Sequence, residues 1–354
     1  MQKKWLIYGA YGYTGELIAR EAKKRGWNPV LAGRNPDKLK PLGKELELET
    51  RVFPVGPSAA ENLSDIALVL HCAGPFQKTS APMIKACLEA GADYMDITGE
   101  ISVFEHSFAQ DAKAKEAGIT ICSGVGFDVI PTDCTALKLK ELLPDASSLS
   151  LGFDSDSGIS PGTFKTMIEG MGSGSAERQN GQLIPVPIGS QHRTIDFGRG
   201  SRSAMGIPWG DVSTAFHTTG IPNIATWIPM KKSRIFGARI FGSAGAILAL
   251  PAVQKALKNL VNRRVKGPDE TRRAGAPAYI WGEARNEDGV VKTVRIKTAN
   301  VYDLTVYGAL ESVNRLLDGE FPKGSYTPAM LFGSGLVEEL PGSGTFEEET
   351  IYPG

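Results

Sequence analysis

The sequence predicts an α/β protein: a doubly wound parallel sheet first, then a second half built on a mostly antiparallel sheet. Three observations predict it. A short apolar run, Trp5-Leu6-Ile7-Tyr8, passes straight into the glycine loop Gly9-Ala10-Tyr11-Gly12-Tyr13-Thr14-Gly15 and then into a helical pattern. Apolar runs and helical patterns go on alternating as far as Leu143. From about Ser147 the hydrophobic period shortens to two, and strands follow one another with few crossovers.

Each element has its own signal. After the glycine loop, Glu16 to Arg25 reads as a helix with Leu17, Ile18 and Ala22 on one face, stopped by Gly26. Pro29 to Ala32 is the second strand. Asn35-Pro36 opens the next helix, Asn as cap and Pro in the first turn. Ala67 to Ala73 is continuously apolar, as a parallel strand buried on both faces must be. A helix over Thr79–Ala90 ends at Gly91, and Tyr94 to Glu100 is a strand and its exit. A single helix over Phe104–Ala117 ends at Gly118, and Ile119 to Cys122 is a strand leaving through Gly124-Val125-Gly126-Phe127-Asp128. Ile130 to Leu143 is helical.

Further on, Ser148 to Asp154 alternates polar and apolar, as a half-exposed strand does. Ser160-Pro161-Gly162-Thr163 reads as a helix start leading into Phe164 to Met171, and Asp211 to Thr219 as a strand. Glu287-Asp288-Gly289 between Tyr279–Asn286 and Val290–Lys297 signals a hairpin. Val301 to Gly319 is a helix, and Tyr326-Thr327-Pro328-Ala329-Met330 starts a last short one.

Composition bounds the function. A length of 354 residues suits two domains. The 39 Lys+Arg balance 39 Asp+Glu, so bulk charge gives no general affinity for nucleic acid or acidic membrane. Cys72, Cys87, Cys122 and Cys134 have no C-x-x-C spacing and read as reduced core cysteines of a cytoplasmic protein, not as metal ligands or disulfides. No secretory signal and no spanning helix is expected. The four histidines are not closely paired, so no metal site is expected, and a Ser-His-Asp hydrolase is not expected either. No tyrosine has a lysine four residues on, which excludes the short-chain dehydrogenase acid–base pair.

The glycine loop carries the chemistry. Glycines let the backbone approach a pyrophosphate, and the following helix start offers N–H groups and its positive dipole end. Here the spacing is G-x-x-G-x-x-G, one residue wider than G-x-G-x-x-G. The end of the second strand selects the cofactor. Arg34 stands 19 residues after Gly15, where an acidic residue would hold a bare ribose. A guanidinium suits a 2′-phosphate, and Lys38 adds charge one turn on, so NADP(H) is predicted over NAD(H). Strand ends face the ligand crevice, which puts Cys72-Ala73-Gly74-Pro75-Phe76 beside the cofactor. His71, inside its strand, reads as a core histidine.

Taken together, the glycine loop ending Tyr13-Thr14-Gly15, Ala32-Gly33-Arg34, Cys72-Ala73-Gly74-Pro75-Phe76, Tyr94-x-Asp96-x-x-Gly99-Glu100 and Gly126-Phe127-Asp128-x-x-Pro131-x-Asp133 resemble the saccharopine dehydrogenase-like oxidoreductases, including their trans-acting enoyl reductase branch. Thr218-Thr219-Gly220-Ile221-Pro222-Asn223, Trp281-Gly282-Glu283 and Tyr326-Thr327-Pro328-Ala329 extend the resemblance. It implies an N-terminal Rossmann-type domain over 1–134 plus 300–354 and an inserted α+β substrate-binding or dimerisation domain over 135–299. It also implies NADP(H) and hydride transfer, with Gly126 and Phe127 among the cofactor contacts; the strand-rich second half reads as a substrate-binding and dimerising platform, so a homodimer is expected. The enoyl reductase branch implies reduction of a C=C bond in a hydrophobic, lipid-like small molecule, with amino-acid or imine C=N chemistry as the alternative.

Asp128, Asp96 and Glu100 follow strand ends and are the candidate proton donors; Asp128 and Glu100 are also readable as helix caps. Thr163 and Lys165 are candidate substrate contacts. Ile235 to Leu250, apolar and flanked by basic residues, reads as a core or dimer helix, or as a patch meeting a membrane surface or lipid-like substrate. A non-catalytic NADP-binding scaffold or redox sensor is the rival from another class.

Overall fold

A computed structural model describes residues 3–155, 175–242 and 276–353. The chain forms two units, Met1–Ile130 with Tyr302–Gly333, and Pro131–Val301 with Ser334–Gly354.

In the first unit the strands are β1 (Trp5–Tyr8), β2 (Val30–Gly33), β3 (Thr50–Val52), β4 (Leu68–His71), β5 (Asp93–Asp96) and β6 (Thr120–Ser123). The helices are α1 (Tyr13–Lys24), α2 (Pro36–Leu46), α3 (Phe76–Ala90), α4 (Ile101–Ala109) and α5 (Asp111–Ala117). A late strand, Gly324–Tyr326, completes a seven-stranded sheet in the order Gly324–Tyr326, β6, β5, β4, β1, β2, β3. Every pairing in it is parallel. All four residues of β1, β2, β4 and β6 are buried, which is why apolar residues dominate β1, β2 and β4. Leu6, Val30, Val69, Met83, Ile84, Tyr94 and Ile121 share one core cluster, and burying each large side chain contributes about 1.5–3 kcal/mol.

The punctuation works as its chemistry dictates. Asn35 caps α2 by accepting from the Asp37 N–H at 2.9 Å, and α3 and α5 stop at the left-handed Gly91 and Gly118. Three features differ from expectation. β3 is an extra edge strand. The helix over Phe104–Ala117 is two helices broken at Gln110, with Asp111 restarting the second. The strand Gly324–Tyr326, just ahead of the short helix Pro328–Phe332, was not expected.

The second unit holds a nine-stranded sheet. Its main path runs His192–Asp196, Ser201–Gly206, Asn223–Pro229, Ser148–Ser155, Ala278–Arg285, Val291–Thr298, Glu347–Ile351. Among the described residues, only the pairing of Asn223–Pro229 with Ser148–Ser155 is parallel in this sheet. The hairpin at Glu287-Asp288-Gly289 is present, with Gly289 at φ +83° and the Asn286 side chain accepting from the Val290 N–H at 2.9 Å. Residues 334–354 group with this unit and not with the nucleotide unit as expected, because Glu347–Ile351 pairs antiparallel with Val291–Thr298.

Asp211–Thr219 is an α-helix, not the expected strand. Its threonines suggested a strand, but the Thr219 hydroxyl donates back to the Ala215 carbonyl at 2.6 Å and Gly220 ends the helix in the left-handed region. Ser160 to Met171 lies outside the described residues, as does the later part of Ile235 to Leu250. Among the described residues no helix is long and apolar enough to cross a membrane.

Candidate functional site

The three loop glycines do three different jobs. Gly9, at φ +85°, turns the chain out of β1 while its N–H donates to the Ala32 carbonyl at 2.8 Å, and a Cβ there would meet the Ala73 Cβ at 2.8 Å. Gly12 caps α1 with no side chain, its N–H donating to the Gly9 carbonyl at 2.9 Å. Gly15 packs directly on the Gly9 carbonyl, and a Cβ would overlap that oxygen. The turn into α1 thus has no side chain at three positions, the arrangement that lets a pyrophosphate approach the backbone. Ala10 is buried, Tyr11 lays its ring over the bare Cα of Gly33, and Tyr13 meets Tyr302 edge-on at 5.2 Å. Gly15→Ala is expected to abolish nucleotide binding in a fluorescence titration, because the overlapped atoms are backbone and must move.

Arg34 and Lys38 follow β2, exposed and without a hydrogen bond or ion pair among the described residues. Two long cations held beside the loop with no protein partner suit an anionic ligand group.

The loop after β4 is pinned from two sides. On one, the Thr79 hydroxyl donates to the Ala73 carbonyl at 2.7 Å and so accepts from His71 Nε2 at 3.0 Å. His71 is fully buried, and burial lowers its pKa to about 3, so it is a neutral core histidine holding this loop. On the other side Glu100 accepts from the Phe76 N–H at 3.2 Å and the Gln77 N–H at 2.9 Å. Glu100 therefore caps the start of α3, not its own helix, α4. Cys72 donates its N–H to the Tyr8 carbonyl at 2.7 Å, and burial pushes its thiol well up, which argues against a thiolate here. Glu100→Gln keeps one acceptor and places an NH2 group against an N–H. It is expected to lower stability by about 1–3 kcal/mol in urea unfolding while leaving most of the turnover.

Asp96, fully buried, ties β5 to β6. Its carboxylate accepts from Tyr94 Oη at 2.8 Å, the Thr98 N–H at 3.1 Å, Ser123 Oγ at 3.1 Å and the Gly124 N–H at 2.9 Å. Burial raises its pKa, and these four donors offset only part of that rise. Asp128 is different. Its carboxyl sits against Gly99, where a Cβ would come within 2.8 Å of Oδ2, and burial raises its pKa to about 6. The preceding Phe127 N–H donates to Thr305 Oγ1 at 3.1 Å, and Gly126 lies against the same threonine.

The expected cofactor loops, 9–15, 33–34, 72–76 and 126–127, thus leave the carboxyl ends of four strands of one sheet, and the carboxyl candidates leave β5 and β6. His71, Thr79 and Thr305 emerge as loop-holding residues that no sequence motif marks. Thr163 and Lys165 lie outside the described residues. So does Gly158-Ile159-Ser160-Pro161-Gly162, a G-x-S-x-G spacing that the expectation against a hydrolase had missed. An apolar groove between α3 and the α4–α5 pair, bordered by Ala81, Ile84, Leu88 and His106, contains none of these residues.

Comparison with known proteins matches residues 5–122 to the family model described as the saccharopine dehydrogenase NADP-binding domain. A probable mitochondrial saccharopine dehydrogenase-like oxidoreductase of Arabidopsis thaliana is 32% identical over 195 residues, 47% of this chain and 42% of that protein. A trans-acting enoyl reductase of Mycobacterium ulcerans is 28% identical over 199 residues, 51% of this chain and 48% of that protein. The matched segments thus span about half the length of these curated relatives. Among solved structures, apo saccharopine dehydrogenase (L-Glu forming) from Saccharomyces cerevisiae superposes with a TM-score of 0.65 at 12% identity, covering 99% of this chain and 100% of that one. At that identity the likeness shows a shared fold.

Proposed function

We propose, on the premise that residues 5–122 form an NADP-binding domain of the saccharopine dehydrogenase family, that this chain is an NADP(H)-dependent oxidoreductase reducing a C=C bond of a hydrophobic substrate. The observation that carries the reading is the set of loops 9–15, 33–34, 72–76 and 126–127 at the carboxyl ends of one parallel sheet, with the Asp128 carboxyl against Gly99 beside them. Gly9, Gly12 and Gly15 would hold the pyrophosphate, Arg34 and Lys38 a 2′-phosphate, and the Cys72-to-Phe76 loop with Gly126 and Phe127 the nicotinamide end. NADPH supplies a hydride when bound. Asp128 supplies the proton that completes the reduction, and Asp96 and Glu100 hold the loops in register instead of exchanging protons. Two general facts support this division. A carboxylate that accepts from several fixed donors is held toward its ionised form, and one whose desolvation outweighs such contacts takes a proton more readily near neutrality.

The identity to a trans-acting enoyl reductase supports an enoyl substrate. All four cysteines are free thiols, which supports a reducing compartment such as the cytoplasm. Oxidation of NADPH, followed in absorbance with trans-2-enoyl thioesters of increasing chain length beside a panel of imines, tests the reading. Turnover rising with chain length supports it. Turnover with imines alone assigns C=N chemistry, and tight NADPH binding with no turnover on either panel assigns a scaffold or sensor.

A further inference from the structure

We infer that the outer face of the helix Lys232–Gly242 docks this protein on an anionic lipid bilayer. The helix is anchored from below: Ile235 is 5% exposed and packs with Met205 and Ile207, and Ala238 meets the same cluster. Gly189, with no side chain, lets the helix backbone approach, since a Cβ there would stand 3.0 Å from the Arg239 nitrogen. That seating turns Phe236 outward, and it is 67% exposed. Lys231, Lys232, Arg234 and Arg239 are exposed around it. Positions 232, 236 and 239 share one stripe of the helix. Among the described residues Lys231, Lys232 and Arg234 have no ion-pair partner.

Charge identifies the partner. Residues 212–268 contain nine Lys+Arg and not one Asp or Glu, leaving 30 Lys+Arg against 39 Asp+Glu in the rest of the chain. A chain of zero net charge is thus strongly polarised, with the exposed phenylalanine in its cationic stretch. Basic residues around an outward aromatic are what an anionic interface selects: the charges meet lipid phosphates and the ring enters the headgroup boundary. A second copy of the same face is disfavoured, because the cations would face one another. The inference is independent of the proposed reaction, since its readout is partitioning.

The test is flotation of the full chain with vesicles of phosphatidylcholine containing about one-third phosphatidylserine, beside pure phosphatidylcholine. The expected result is binding to the anionic vesicles only, lost at about 1 M salt, where the screening length falls to about 3 Å. Replacing Lys231, Lys232 and Arg234 together by serine is expected to weaken partitioning about 100-fold, at about 1 kcal/mol per charge. Phe236→Ser is expected to weaken it roughly tenfold. Unchanged NADPH affinity in both variants shows that the fold is intact. Absence of flotation, equal binding to both vesicle types, or tighter binding to a single-stranded oligonucleotide than to the anionic vesicles would each overturn the inference.

Discussion

Arg34→Ala is expected to weaken NADPH binding roughly 30-fold and leave NADH binding within about twofold, measured by calorimetric titration of both nucleotides. The asymmetry follows from what a guanidinium does. Its fork of N–H donors pairs with phosphate oxygens through charge-assisted bonds, and a ribose hydroxyl offers nothing comparable. Arg34 is exposed at the end of β2 with no ion pair among the described residues, so removing it breaks no contact of the folded chain. The loss falls on the ligand alone. Equal losses for NADH and NADPH would mean that Arg34 shapes the loop without reading the 2′-phosphate. Lys38→Ala should give a smaller loss in the same direction, because an ammonium on a flexible stem acts as a point charge.

Asp128→Asn is expected to lower kcat by about 10²–10⁴-fold while changing NADPH affinity little. The wild-type rate should also depend on pH with a defined sign. Burial raises this carboxyl to about 6 from 3.8. A general acid works in its protonated form, so kcat should be level below pH 6 and fall about tenfold per unit above it. The asparagine variant has no proton to lose, so its residual rate should be flat over the same range. A rate that rises through pH 6 would mean the ionised form acts, as a base in the reverse direction. Full turnover in Asp128→Asn would assign the proton to water or to another group.

Much of the first unit was legible because its signals are local. A buried parallel strand must be apolar along its length, a helix must start and stop, and Asn35, Gly91 and Gly118 mark those points by their own backbone and side-chain chemistry. What escaped depends on partners far along the chain. β3 is three residues long, and Glu347–Ile351 is a fully exposed edge strand with three glutamates, so neither has the apolar alternation that marks a strand. Asp211–Thr219 misled because β-branched residues favour strands on average, yet Val212, Thr214 and Thr219 are buried on a helix by their neighbours.

The candidate site divides in the same way. The glycine loop and Arg34 were legible from spacing. The separation of Asp128 from Asp96 and Glu100 was not, because all three follow strand ends. Their surroundings distinguish them: Asp96 accepts from four donors and Glu100 from N–H groups at the start of α3, while the partly buried Asp128 carboxyl lies against Gly99 and is raised to about 6.

The central claim is that the G-x-x-G-x-x-G loop and the cations beside it form an NADP(H) site. Titrating the purified protein with NADPH and with NADH, following quenching of its five tryptophans, tests it most directly. The account predicts saturable quenching by both, with NADPH at least tenfold tighter. Absence of binding by either nucleotide would contradict it, leaving the loop a structural turn and the oxidoreductase reading without a cofactor.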